Sequence, residues 1–200
     1  EINIIEENVP VDSYYGETFK SVGLGRCLQK AKEMIGWDEK YPVRDMGNGK
    51  VRAVGGALAM QGSGISGVDV GSATIKLNED GIYTLLIGAA DMGTGCDTIL
   101  SQMAAECLDC TIDDIIVVGA DTDTSPYDSG SYASSTTYVT GRAVEIACEK
   151  LKEKICQRAS QMMDCSVEGL EFDGHVVKDL ESKKSVTLQE IGTSSMCGNE

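Results

Sequence analysis

Between Ser21 and Trp37 the apolar residues fall at Val22, Leu24, Cys27, Leu28, Ala31, Met34 and Ile35. That is the three-and-four spacing of one helix face, and it predicts a helix over 21–37. Residues 1–20 show no period, carry Pro10, and read as an extended lead-in. Residues 38–50 are turn-rich, with Pro42, Gly47, Asn48 and Gly49. Period-two alternation then predicts strands over 51–61 and 68–77. Asn78-Glu79-Asp80-Gly81 is a hairpin turn with glycine where positive φ is needed, and 82–87 is the return strand. A second helix is predicted over 97–108, with Ile99, Leu100, Met103, Ala104 and Cys107 as its stripe. A short buried strand over 115–120, a long polar loop over 121–135 and a long helix over 136–163 follow. The tail Phe172-Asp-Gly-His-Val-Val reads as a hairpin and 187–191 as a helix start, while 192–200 is polar and reads as loop. This order predicts an α+β fold, a mixed β-sheet fed by hairpins with helices packed on it. Residues 1–50 form a lead-in segment with one helix, and 51–200 form the α+β domain proper.

Composition narrows the function. Hydrophobic residues make up 42% and charged residues 24%, an ordinary globular balance, but aromatics are only 5%, so the core must be mostly aliphatic. Seventeen Lys and Arg stand against 32 Asp and Glu, a formal net charge of −15. A chain that acidic repels nucleic-acid backbones and anionic membranes, so neither is an expected partner. No apolar run reaches membrane-spanning length. Several of the 8 Cys sit in apolar helical text, as in Ile146-Ala147-Cys148, which reads as core packing in a reducing, cytoplasmic compartment. His175 is the one histidine, so a two-histidine zinc site and histidine-centred catalysis are excluded. The first residue, Glu1, fits a processed product or a piece of a longer polypeptide, and the loop-like ending without a closing element points to the second.

Four motifs carry possible chemistry. Gly62-Ser-Gly-Ile-Ser-Gly67 matches the dinucleotide glycine pattern, but strand-like text follows it where a helix is required, so a glycine-rich connection accounts for it better. Cys107-Leu-Asp-Cys110 has no second pair, and Cys107 falls on a helix stripe, so it reads as core. Gly88-Ala-Ala-Asp-Met-Gly-Thr-Gly95 joins a strand to a helix, which makes it either an anion-holding loop or a plain turn. Asp121 to Thr137 is rich in hydroxyls and runs into a helix start. It can hold polar ring edges or phosphate oxygens, or it is a solvated loop whose Ser and Thr cap the helix.

The order of these last two segments is specific. A strand–turn–strand hairpin leads to Asp91-Met-Gly-Thr-Gly95 and a helix with Gln102 and Ala104-Ala-Glu106. Then come a strand, Asp121-Thr122, Pro126, Gly130-Ser-Tyr-Ala-Ser-Ser-Thr-Thr137, and Gly141 and Ala143 on a long helix. Over roughly residues 50 to 155 this resembles the molybdenum-binding subunit of the molybdenum hydroxylases, the xanthine dehydrogenase and aldehyde oxidase family.

The resemblance implies a molybdopterin cofactor with molybdenum, often in the cytosine dinucleotide form in bacteria, and makes 51–200 the cofactor-binding region. By this resemblance Gly88, Asp91, Met92, Gly93, Thr94 and Gly95 would contact the pterin and its phosphates. Ser131, Ala133, Ser134, Ser135 and Thr136 would hold the pterin through hydroxyls and amides. The family oxidatively hydroxylates an electron-poor carbon of a purine, another N-heterocycle or an aldehyde, with water as oxygen source and a glutamate as base. Electrons leave through iron–sulfur clusters and often FAD on partner domains or subunits. Thr94 stands where many relatives have Gln, and Ser135 where many bacterial relatives have Arg. The family's catalytic Gly-Glu motif and its substrate-side Arg and Gln motifs are missing from this sequence. No catalytic residue and no metal ligand is therefore expected here. The piece alone is expected to be inactive and empty of cofactor, with the remainder of the molybdenum subunit as its first partner. Two other readings stand beside this one: a pterin- or nucleotide-binding or cofactor-maturation protein without redox chemistry, and a structural domain whose loops are only loops.

Overall fold

The computed structural model describes residues 3–12, 16–59, 61–62 and 68–197. They group into two units, Glu1–Gly62 and Ser63–Glu200. In the first unit the lead-in holds a short antiparallel pair, β1 (Pro10–Val11) and β2 (Glu17–Thr18). The predicted helix is α1 (Leu24–Ile35), ended by Gly36 in the left-handed conformation, whose amide donates to Glu33 O at 3.1 Å. Residues 38–50 contain more than turns. After α2 (Trp37–Lys40), β3 (Val43–Gly47) pairs antiparallel with β4 (Lys50–Ala53). The Gly47-Asn48-Gly49 turn has positive φ at all three residues, so it closes a hairpin instead of a coil. The strand expected to reach Gln61 stops at Ala53, just ahead of Gly55-Gly56. None of the described residues of this unit is buried.

The second unit is built on β5 (Ala73–Leu77), β6 (Tyr83–Ile87) and β7 (Ile115–Gly119), in that spatial order. β5 and β6 are the expected hairpin, with Asn78 accepting from Gly81 N at 3.1 Å. β6 and β7 run parallel, joined by α3 (Cys96–Leu108), so β6–α3–β7 is a crossover unit. The alternation Tyr83, Leu85, Ile87 is fully buried, against Leu100, Ala104 and Leu108 of α3 and Val144 and Cys148 of α4 (Thr136–Met163). The buried residues of α4 (140, 141, 144, 148, 155, 159 and 163) keep to one helical face. Gly141 lets α3 approach, because a Cβ there would lie 2.6 Å from Met103 Cε. Cys107 and Cys110 pack against this core as free thiols.

A second sheet, order β10-β9-β8, is formed by β8 (Leu170–Phe172), β9 (Val176–Asp179) and β10 (Ser185–Thr187), all antiparallel. α5 (Leu188–Cys197) follows it. Two expectations are corrected here. The strand placed over 68–77 begins only at Ala73. Residues 192–197, expected as loop, are helical. Ile191 is buried, Gly192 lies against Asn78 O, and Arg158 donates to Ser194 O and Oγ at 2.9 and 2.8 Å, so packing overrides weak local propensity. Helices packed beside small mixed sheets make this an α+β fold.

Candidate functional site

Both candidate loops leave from neighbouring parallel strands. Ile87 pairs with Gly119, and Ala120 N donates to Ile87 O at 3.0 Å, so the loop after β6 and the loop after β7 start side by side. The carboxyl ends of adjacent parallel strands are where open α/β layers place their ligands.

The first loop folds on itself. Asp91 Oδ1 accepts from Gly93 N at 2.9 Å and from Gly95 N at 3.1 Å. Gly93 and Gly95 have φ of +100° and +72°, which only glycine adopts without strain. Gly95 then caps α3 with no side-chain bond of its own. The Gly93 and Gly95 amides hold the Asp91 carboxyl below its ordinary value. Asp91, Met92, Gly93 and Thr94 are exposed, Met92 by 70%.

The second loop is tied down at a distance. Asp128 Oδ1 accepts from Gly130 N at 2.8 Å, and its Oδ2 from Thr140 Oγ1 at 3.2 Å. Ser129 Oγ donates to Val70 O at 3.3 Å. Ser135 N donates to Tyr132 O at 3.1 Å, closing a turn with Ala133 and Ser134 at φ of +51° and +56°. Two successive non-glycine residues at positive φ are strained, and such strain persists only where surroundings over-determine it. Here Ala133 is buried, and the Ser135 hydroxyl, 4% exposed, donates to Tyr132 O. Ser135 stands at the N-cap of α4 but its hydroxyl makes no cap bond, so the alternative in which Ser and Thr hydroxyls cap the helix does not hold for this residue.

The two loops meet. Ser131 Oγ donates to Ala90 O at 2.9 Å across 41 residues. At Gly88 an added Cβ would lie 2.3 Å from Pro126 O and 2.7 Å from Asp128 Cβ, so the second loop lies directly on this glycine. The residues singled out from sequence thus divide. Gly88, Ala133 and Ser135 face inward and fix the shape. Asp91, Met92, Gly93, Thr94 and Ser134 are exposed, and Gly95, Ser131 and Thr136 are half-buried. Sequence reasoning missed Ala90, whose carbonyl joins the loops, and Asp128, which closes the second. The spacing Asp128-Ser-Gly130 is a recognisable side-chain-to-backbone turn; Ala90 carries no local signal. Asp97 was also missed. Its carboxylate lies against Gly119, and with Asp91 and Cys96 it forms a group whose ligand atoms lie within 4.8 Å of one another. The Gly62–Gly67 motif falls, after Gly62, outside the described residues. Among the described residues no helix is long and apolar enough to cross a membrane.

A family model described as "Molybdopterin cofactor-binding domain" matches residues 30–199. The probable hypoxanthine oxidase XdhD of Escherichia coli (strain K12) is 40% identical over 144 residues, 72% of this chain and 15% of that protein. The putative xanthine dehydrogenase molybdenum-binding subunit XdhA of the same organism is 32% identical over 167 residues, 81% of this chain and 22% of that protein. A solved structure, the reconstituted CO dehydrogenase from Oligotropha carboxidovorans, shares the fold with a TM-score of 0.60 and 23% identity, covering 94% of this chain and 26% of that one. The chain thus spans less than a quarter of the length of the two curated relatives.

Proposed function

The chain belongs to the molybdopterin cofactor-binding domain family, and on that premise we propose that its two facing loops form one wall of a molybdopterin site. The observation that carries this reading is the Ser131–Ala90 bond, which joins both loops at the carboxyl ends of β6 and β7. The donor set fits a pterin, whose ring edges mix donors and acceptors: one loop offers the exposed Asp91 carboxylate and Thr94, the other Ser131, Ser134 and Thr136. Gly88, Ala133 and Ser135 hold the wall from beneath, and Gly93, Gly95 and Met92 shape its rim. When bound, the molybdenum cofactor supplies the redox chemistry; this chain's residues hold and orient the pterin.

The whole polypeptide is then the molybdenum-binding subunit of a hydroxylase, oxidising a purine or another N-heterocycle with water as oxygen source. The names of the two E. coli relatives, a hypoxanthine oxidase and a xanthine dehydrogenase subunit, favour a purine and favour an enzyme over a cofactor-maturation protein. The cofactor's cytosine dinucleotide form, an iron–sulfur and an FAD partner, and the remainder of the subunit belong to the same reading. The isolated chain is inactive, because no catalytic base is assigned in it. Buried or half-buried free cysteines such as Cys96, Cys110 and Cys148 suit the cytoplasm.

The test is to purify the complete parent subunit and measure molybdenum by mass spectrometry and pterin by fluorescence after oxidation. Near-stoichiometric amounts of both are expected. Pterin without molybdenum would favour a maturation role, and neither would reduce the loops to scaffolding.

A further inference from the structure

The loop after β7 is steered from beneath by a residue that lies outside it. Thr140 sits on the inward face of α4, 2% exposed, and its hydroxyl donates to Asp128 Oδ2 at 3.2 Å. A helical threonine can turn its hydroxyl to a carbonyl one turn back; this one turns it to the loop. The other oxygen of the same carboxylate accepts from Gly130 N at 2.8 Å, the amide next to Ser131. One carboxylate thus bridges the rigid helix and the segment that carries the hydroxyls of the wall. Thr140 is itself covered. A Cβ on Gly71 would lie 2.7 Å from Thr140 N and Cα and 2.8 Å from its Oγ1, so only glycine lets the backbone close over that hydroxyl. The neighbouring Val70 bonds Ser129 in both directions. Its amide donates to Ser129 Oγ at 3.4 Å, and its carbonyl accepts from Ser129 N at 3.5 Å. Residues 70–71, 128–130 and 140 therefore close a clasp under the loop, with the Thr140 hydroxyl kept from water at its centre.

We propose that Thr140 is a positioning residue for the pterin. Through Asp128 it fixes where Gly130 stands, and with it the placement of Ser131 and Ser134, without touching the cofactor itself. The assignment rests on the reading that the two loops face the cofactor. A loop already held in its binding shape loses less freedom when the ligand arrives, so the clasp is felt as affinity.

The test uses the parent polypeptide prepared without cofactor, as wild type, Thr140→Val and Thr140→Ser. Valine keeps the branched shape and loses the hydroxyl; serine keeps the hydroxyl. Unsubstituted pterin is titrated by fluorescence, and hydrogen exchange at Ser129, Gly130 and Ser135 is followed by mass spectrometry. In Thr140→Val, pterin binding is expected to weaken about tenfold, the scale of one lost bond to a charged group. The three loop amides should exchange faster while α4 beyond Val144 is unchanged, and Thr140→Ser should stay within about twofold of wild type. Where Thr140→Val does not fold, Asp128→Asn removes the charge from the loop side and carries the same expectations. Wild-type pterin affinity in a folded Thr140→Val chain overturns the role of Thr140 and leaves the cofactor reading standing. Weaker binding that serine does not rescue, or that comes without faster loop exchange, also overturns it. If no chain binds pterin, the cofactor reading falls and loop exchange decides the clasp: faster exchange in Thr140→Val alone upholds it, and equal exchange in all three overturns it.

Discussion

The two loops of the site are held by opposite means. The one after β6 is closed by bonds that span two and four residues, from Gly93 and Gly95 to Asp91. The one after β7 depends on partners 12, 41 and 59 residues away, at Thr140, Ala90 and Val70. The first can take its shape as soon as its own segment is in place. The second exists only when β5, β6 and α4 are assembled around it. Side-chain changes in the first loop should therefore alter what the site attracts, and changes in the second should alter whether the site forms.

The position where the loops touch should break the comparison most severely. Gly88→Val places a side chain into Pro126 O and Asp128, where backbone must move, and should cost about 3 kcal/mol or more in urea denaturation. A loss under about 1 kcal/mol would mean that the second loop does not rest on the first. Asp128→Ala removes the acceptor for both Gly130 N and Thr140 Oγ1, and a loss of about 2 kcal/mol is expected from bonds to a charged group. Ser131→Ala removes one neutral bond and should cost about 1 kcal/mol, visible as a small fall in Tm.

The smallest effect is a pH response confined to the first loop. The amides of Gly93 and Gly95 lower the Asp91 pKa from 3.8 in the folded chain. Its contribution is therefore fully present above the unfolded value and is lost as pH falls through the lowered one. The Gly93 and Gly95 amide resonances should titrate together with a midpoint below 3.8, while that of Ser135, which donates to a backbone carbonyl, should not. A midpoint at or above 3.8 would mean that the carboxylate is not held by these amides.

The same contrast explains what the sequence made legible. The β5–β6 hairpin with its Asn78–Gly81 turn, α3, β7 and α4 carry their pattern locally and, except that β5 starts five residues later, lie where periodicity puts them. So does the glycine loop as a segment, because Gly93 and Gly95 announce backbone that other residues resist. What local pattern did not carry was set by packing. The helical fate of Gly192–Cys197 comes from Ile191 in the core and Arg158 on Ser194. The inward turn of the Ser135 hydroxyl comes from the strained Ala133-Ser134 turn, which no propensity favours. The Ser131–Ala90 bond needed the parallel register of β6 and β7 before the two loops could meet. β3 was hidden for another reason: all its residues are exposed, so no apolar alternation marks it as the partner of β4.

The central claim is that the face made by the two loops receives the pterin. Thr94 is exposed between the two turn glycines, so Thr94→Trp can block that face without disturbing the core. The decisive measurement is the pterin content of the parent subunit carrying Thr94→Trp, against wild type purified in parallel. The account predicts near-complete loss of pterin with an unchanged Tm of the cofactor-free protein. Wild-type pterin content in a correctly folded Thr94→Trp subunit would contradict it.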